Sequence, residues 1–486
     1  MSYYLGVDIG TTTAKAVAFS KNGMILYQVA AGYGMLHPAP GRSEQNPDEI
    51  FDAVIHTITN VLQTLAGKPL FIAFSAAMHS IIAVNDKGNP LTPCIIWADN
   101  RAAAMADSLR NSEQGYRFYT ATGVPLHAMS PLCKLLWFKE AEPAVFTTAF
   151  KFIGIKEYVF YRLCGQFIVD TSIASATGLL NLSTLSWDEE ILAYACIEPN
   201  RLSTLVSVKH ICYCDNSQPG LSILNDIPFV IGASDGTLAT LGSAAHDKEA
   251  LSVTIGTSGA VRRLVTAPQT DSAMRSFCYH LKDTDYVIGG ATNNGAVVLQ
   301  WLKESLLQTD EDFEALFLQA ATIVPGSNGL LLLPYLFGER APLWNTNAKG
   351  VWFGFDIHHT KAHFIRACME GVMYSLYSIA RIVTHEDTSQ QVYVSGGFTK
   401  SNLWLQIAAD VFNRDVVVSG DGESAAFGAV LVGAEAVGLK TNFERTVVSV
   451  HQPIPGHHEI YQNCFSRFER LYGLLKEEMN GDSLQE

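Results

Sequence analysis

The sequence has no GxxxxGK[ST] phosphate loop and no GxGxxG dinucleotide fingerprint anywhere in its 486 residues. Two familiar glycine-rich phosphate cradles are thereby excluded. Charged residues are scarce at 16%, and acids outnumber bases to a net charge of −14. Phosphate backbones are held by surplus Lys and Arg, so nucleic acid is not an expected partner. A single polyphosphate stays open, because a few local donors and a cation suffice to hold it. Long apolar runs are missing too. "GLLLLPYLFG" around Leu330 falls short of the roughly 18 residues a span needs, so no membrane partner is expected. The nine cysteines form no paired CxxC sets, and one residue separates Cys212 from Cys214. Buried free thiols in a reducing compartment are the expectation. The chain enters a strand-like run within its first residues, leaving no room for a secretory or transit segment, and a cytoplasmic location follows.

What is present is a large apolar reserve, 48% of residues, in a chain too long for one ordinary core. Two large domains are expected. Strand and helix patterns alternate along the chain, as in α/β proteins. "NPDEIFDAVIHTITNVLQTL" opens with a cap-like Asn46 and Pro47 and keeps helical apolar spacing. "DGESAAFGAVLVGAEAVG" reads as a small-residue helix suited to close packing. The most informative feature is a repeat. "LGVDIGTTTAKAVAF" begins at Leu5 and "LSVTIGTSGAVRRLV" at Leu251, each a strand, a Gly-Thr turn and a second strand. The plan restarts in the second half, with a boundary near Ala239 to Lys248 and domains of 1–244 and 245–486.

The turn Gly10-Thr11-Thr12-Thr13, with Lys15 just beyond, directs backbone amides and hydroxyls into one concavity, a suitable anion nest. Gly256 and Thr257 supply a second set. Two nests facing each other would clamp adjacent phosphates, whereas the bland reading is two ordinary hairpins. Asp8 ends the first strand beside its nest. A carboxylate next to phosphates needs a cation between them, which points to Mg²⁺. Thr254 takes that place in the second copy. "IGASDGT" from Ile231 fits the GxSxG nucleophile elbow, making Ser234 a candidate hydrolase serine with "THED" or "GHHE" supplying partners. The competing reading makes Asp235 a general base that accepts a hydroxyl proton during phosphoryl transfer. His358, His359 and His363 lack the acid or cysteine set that would complete a metal site, and read as a solvated helix start.

"DIGTTTAKAV", "IGASDG", "IGTSGA", "PYLFGERAPLWN" and "VSGGFTKSNLWLQIAAD", in this order, resemble the FGGY carbohydrate kinases from Leu5 to about Gly438. The resemblance implies an α/β fold of two RNase H-like domains of the actin/Hsp70/sugar-kinase superfamily around an ATP cleft, and ATP with Mg²⁺. It implies Asp8 and Asp235 as metal-linked acids and Asp235 as catalytic base. It places Gly10, Thr11, Thr12, Thr13, Lys15, Gly256 and Thr257 at the phosphates. Gly396, Gly397 and Ser401 fall at the adenosine, and Gly295 to Gln300 on the nucleotide side. Ala296 stands where relatives often carry glycine, and Gly236 where xylulose and glycerol kinases tend to carry an amide.

"FSAAMHSIIAV", "IIWADNRA" and "PLHAMSPLCKLLW" resemble gluconate kinases more than xylulose kinases, which read closer to "GQMHG" at the first of them. The implied sugar residues are Met78, His79, Trp97, Arg101, Asp235 and Gly236, with Arg101 as a cation for a carboxylate. Taken singly, Met78 and Trp97 fit core packing, His79 a structural histidine and Arg101 an ion pair. Glu339, Arg340 and Pro342 are expected to buttress rather than touch substrate. The expected reaction is ATP-dependent phosphorylation of a sugar acid such as gluconate, by a chain whose assembly is allowed to be a homodimer. A xylulose, ribulose or polyol kinase and an ATP-driven switch protein are the rivals.

Overall fold

Odd-numbered residues of the first strand, β1 (Tyr3–Ile9), bury Tyr3, Leu5, Val7 and Ile9 in one apolar cluster, while Tyr4 enters another on the opposite face. A strand buried on both faces reads as a near-continuous apolar run and needs a helical layer on each side. One layer is α1 (Pro47–Thr64), whose Ile50, Phe51, Val54, Ile58 and Val61 join the first cluster. Asn46 caps it, accepting the Asp48 N–H. The computed structural model describes residues 2–215, 221–243, 250–384, 391–420, 423–441, 443 and 447–481.

The sheet of the first unit contains β2 (Thr13–Phe19), β3 (Ile25–Gly32), β4 (Pro69–Ala76), β5 (Ile211–Cys212) and β6 (Phe229–Ser234), in the order β5-β6-β4-β1-β2-β3. β1, β2 and β3 pair antiparallel, β4 runs parallel to β1 and β6, and β5 closes the edge antiparallel. The second unit repeats the plan. β7 (Leu251–Ile255) and β8 (Gly259–Val265) form a hairpin, β9 (Gln391–Ser395) and β10 (Asp415–Ser419) follow in parallel, and β11 (Val447–His451) is antiparallel at the edge. The repeated sequence is therefore a repeated sheet.

The compact units are Met1–Ala245 with Leu264–Val287 and Glu423–Arg445, and His246–Arg263 with Ile288–Gly422 and Thr446–Glu486. The expected cut between 244 and 245 falls on residues outside those described. Two segments from beyond that cut belong to the first unit, for a packing reason. The small-residue helix α3 (Ser424–Ala436) lays Ala426, Ala429 and Val430 on the second face of the first sheet, against Tyr4, Phe71 and Ala73. It also meets α2 (Asp235–Ser243) so closely that a Cβ on Gly428 would stand 2.1 Å from the Leu238 carbonyl oxygen. Among the described residues no helix is long and apolar enough to cross a membrane. The nine cysteines are free thiols, eight of them buried.

Candidate active site

Register brings the first unit's acids to one edge of its sheet. Asp8 of β1 lies opposite Ser75 of β4, and Ser75 opposite Ala233 of β6, with Asp235 just beyond as the first residue of α2. These are the carboxyl ends of three neighbouring parallel strands, the place where open α/β sheets bind ligands. Adjacent strands lie about 4.8 Å apart, so the two acid-bearing strands are separated by roughly 10 Å. Ser75 Oγ donates to Asp8 Oδ1 at 2.7 Å. Burial pushes the Asp8 carboxyl up from its ordinary value, the Ser75 hydrogen bond and Lys15 oppose this, and Glu423 adds to it. Asp235 Oδ1 accepts the Gly236 N–H at 2.6 Å, which orients the carboxylate from its own helix start.

The Gly10 turn closes with the Gly10 N–H donating to the Thr13 carbonyl at 3.0 Å. Its other carbonyls are turned into the unit. Tyr33 OH donates to Gly10 O, Gln45 Nε2 to Thr11 O at 2.7 Å, and the Tyr33 N–H to Thr12 O at 3.3 Å. Carbonyl oxygens that would repel an anion are thus occupied. Thr11 Oγ1 accepts from Trp97 Nε1 at 2.9 Å, so the Gly10 turn and the segment around Trp97 brace each other. Thr12 is exposed. Lys15 Nζ reaches both Glu423 oxygens, at 2.8 and 2.9 Å, and its charge is shared with that carboxylate.

The predicted sugar residues are ordered in different ways. Met78 is half-buried against the cluster around Ala73, Val230 and Leu238. His79 has φ 67°, its Nδ1 lies 2.8 Å from Ala176 O and its Nε2 3.4 Å from Tyr279 OH. Fully buried Lys134 holds the His79 loop, donating to His79 O at 2.7 Å and Ile96 O at 2.8 Å, and burial lowers its pKa to about 7. Arg101 is clasped by two carboxylates. It donates to Asp99 at 2.8 Å through both Nε and an NH₂ group, and its guanidinium also pairs with Glu44. Gly236 is buried. Sequence reading missed Lys134, Glu44 and Glu423, since each partner lies far along the chain.

In the second unit Gly256, Thr257, Gly295 and Gly396 converge. The Gly295 N–H donates to Thr257 O at 3.1 Å and the Ala296 N–H to Gly256 O at 2.8 Å. A Cβ on Gly295 would stand 2.5 Å from Ser258 O. Gly396 has φ 103°, and its Cβ would lie 2.2 Å from Ile255 O, so only glycine fits. Gly397 is exposed with open space beside it. Ser401 is buried and caps the helix Asn402–Phe412, accepting the Trp404 N–H at 3.2 Å. Gln300 is exposed on the helix that follows Gly295, its Nε2 donating to Glu304 at 3.0 Å. Glu339 is buried and ties Thr292, Asn293 and Asn294 together, a buttressing arrangement. Thr254 Oγ1 lies 3.0 Å from Ser395 Oγ, the neutral counterpart of Asp8 with Ser75.

Ser234 does not have the surroundings of a hydrolase nucleophile. Its side chain is fully buried, and its Oγ lies 3.1 Å from Ser172 Oγ and 2.9 Å from Thr237 Oγ1. Of its proposed partner segments, "THED" runs from Thr384 into residues outside those described, while His457 pairs with Asp410 at 2.8 Å. Among the described residues no cluster of three or more His, Cys, Asp or Glu forms a metal cage. Mg²⁺ characteristically takes one or two carboxylates and completes its shell with water and substrate phosphate. Asp8, whose negative charge burial and Glu423 disfavour, would have that charge offset by a cation and fits such a partial donor set.

Glu157 gives this unit a pH response. Burial raises its pKa to about 7, and it accepts the Gly154 N–H at 2.6 Å. The folded form therefore binds more protons than the unfolded one between pH 4.5 and about 7. This contribution to stability is complete below pH 4.5 and is lost as pH rises through about 7. Glu157→Gln keeps the acceptor and should flatten the fall of melting temperature from pH 5 to 8 by a few degrees. Parallel pH slopes in thermal unfolding of the two proteins would refute this.

The repeated hairpin-and-parallel-strand sheets define a two-domain α/β kinase fold of the actin/Hsp70/sugar-kinase superfamily. Within it, the chain belongs to the FGGY family of carbohydrate kinases, whose N-terminal domain matches residues 3–242 and whose C-terminal domain matches 251–437. It is 42% identical to a gluconokinase of Bacillus subtilis (strain 168), over 98% of this chain and 96% of that one. Gluconate kinase from Lactobacillus acidophilus shares 35% identity with a TM-score of 0.93 over 98% of both chains. Ligand-bound xylulose kinase from the same organism shares 34% with a TM-score of 0.95, over 99% of this chain and 100% of that one. Kinases of this family use ATP.

Proposed function

We propose that this protein phosphorylates D-gluconate at its terminal hydroxyl, giving 6-phosphogluconate, with ATP as donor and in the cytoplasm. The observation that carries the reading is end-to-end similarity to a gluconokinase at 42% identity. Asp235, at the carboxyl edge of the sheet, accepts the sugar hydroxyl proton as that oxygen attacks the γ-phosphoryl group. The loose transition state asks little of the base, so most of the acceleration comes from alignment of the two reactants. Asp8, with Asp235, would hold Mg²⁺, and the ion when bound would supply charge neutralisation at the phosphates. The Gly10–Thr13 turn serves the phosphates from the first unit, braced by Lys15 through its pair with Glu423. Gly256, Thr257, Gly295 and Gly396 serve the nucleotide from the second. Met78, His79, Trp97 and Gly236 line the sugar side. Arg101 braces that side rather than meeting the substrate carboxylate, since Asp99 and Glu44 already balance its charge.

A xylulose-type substrate is the second reading, favoured by the equally close xylulose kinase structure. A panel of gluconate, xylulose, ribulose and glycerol, with ADP release coupled to a dehydrogenase, separates the two. A clear preference in kcat/KM for gluconate is expected. Equal or greater turnover of the neutral sugars would overturn the gluconate reading, and ATP hydrolysis indifferent to every sugar would overturn the kinase reading.

A further inference from the structure

The strand that delivers Asp235 is irregular just before it does so. Gly232 has φ 65°, and the register of β6 on β4 shifts between Val230 and Ala233. A Cβ on Gly232 would stand 1.8 Å from Phe74 O, so the irregularity is built in. Bulges of this kind re-aim side chains next to active sites and take backbone groups out of the ladder. Here the Ala233 carbonyl accepts from the Lys156 ammonium at 3.0 Å. Lys156, on the helix Ile155–Cys164, is 2% exposed, and its second partner is the fully buried Asp170, at 2.7 Å. Asp170 accepts the Ile173 N–H at 2.9 Å, capping the short turn Thr171–Ser175. From that turn Ser172 Oγ accepts the Ser234 N–H at 3.2 Å. The two residues before Asp235 are thus each held by this assembly.

A buried ion pair is a poor way to stabilise a core, since its desolvation cost often exceeds the attraction gained. Its placement on the bulge points to geometry instead. We propose that Lys156 is a positioning residue for phosphoryl transfer: together with Asp170 it pins the bulged end of β6 and so sets the direction in which Asp235 leaves the strand. The proposal rests on Asp235 being the base. Asp235 is also among the carboxylates that oppose the lowering of the Lys156 pKa by burial.

Removing Lys156 alone strands a buried acid, so the test pairs Lys156→Met with Asp170→Asn, where an asparagine still caps the turn. Rates are expressed per ATP-binding site, counted by calorimetry, with gluconate or the acceptor chosen by the panel. A displaced base is expected to lower kcat about 100-fold. KM for both substrates should stay within about threefold, because binding groups are untouched. A kcat per site close to the parent, or a loss confined to KM, overturns the proposal. Should the paired form bind no ATP, Lys156→Leu with Asp170→Asn, which likewise removes the donor to the Ala233 carbonyl without stranding a buried acid, is judged by the same limits. Asp235→Asn runs in parallel. If it turns over normally, the base reading fails and takes this one with it. If it is silent while the Lys156 forms are normal, only the positioning role falls.

Discussion

Asp235→Asn should retain ATP binding and lose phosphoryl transfer by about 10³-fold, within the span that positioned general bases supply. The substitution is nearly isosteric. Its carbonyl oxygen can still accept the Gly236 N–H that orients the native side chain at 2.6 Å, so the start of α2 keeps its geometry. What disappears is a group able to take a proton from a sugar hydroxyl, together with one negative charge at the sheet edge. The loss should therefore sit in kcat, with the nucleotide dissociation constant from calorimetry changed little. Turnover near that of the parent would end the assignment of Asp235 as base.

The second large effect is an asymmetry between copies of one structural position. Asp8 faces Ser75 across β1 and β4, and Thr254 faces Ser395 across β7 and β9, each at the end of the leading strand of its sheet. Asp8→Ala should cut Mg²⁺-dependent turnover by about 10–100-fold, the usual cost of losing a group that orients a metal's shell. It should also raise the Mg²⁺ concentration needed for half-maximal rate. Thr254→Ala removes a neutral hydrogen bond worth about 1 kcal/mol and should leave the Mg²⁺ dependence unchanged. Asp8→Asn controls for the Ser75 hydroxyl left without its acceptor. Equal losses from the two alanine substitutions, or a Mg²⁺ titration unmoved by Asp8→Ala, would refute the division of labour.

Much of this was legible before any coordinates, because strands, turns and their repetition are local. The paired hairpins, the alternation of strands and helices, and Asp235 following the "IGAS" strand all follow from a few adjacent residues. The resemblance of "VSGGFTKSN" likewise led to Gly396, whose positive φ and contact with Ile255 explain its glycine. Charge partners were not legible. Lys15 looks free for phosphate in the sequence, yet its ammonium is held by Glu423, 408 positions away. Arg101 looks free for a substrate carboxylate, yet Glu44 and Asp99 hold it. Ser401 looks like a nucleotide contact because its motif is shared, whereas its hydroxyl serves as a helix cap. Periodicity records which face is buried; it carries no record of which distant acid reaches a given base.

The helix α3 has a consequence for how this protein is made. It covers a face of the first sheet, yet it emerges from the ribosome after nearly nine-tenths of the chain. Until then Tyr4, Phe71 and Ala73 lack their apolar cover, and Lys15 lacks the carboxylate that holds it. The half synthesised first is thus finished last, and a nascent or truncated chain ending before Glu423 carries an open apolar sheet that invites chaperones or aggregation.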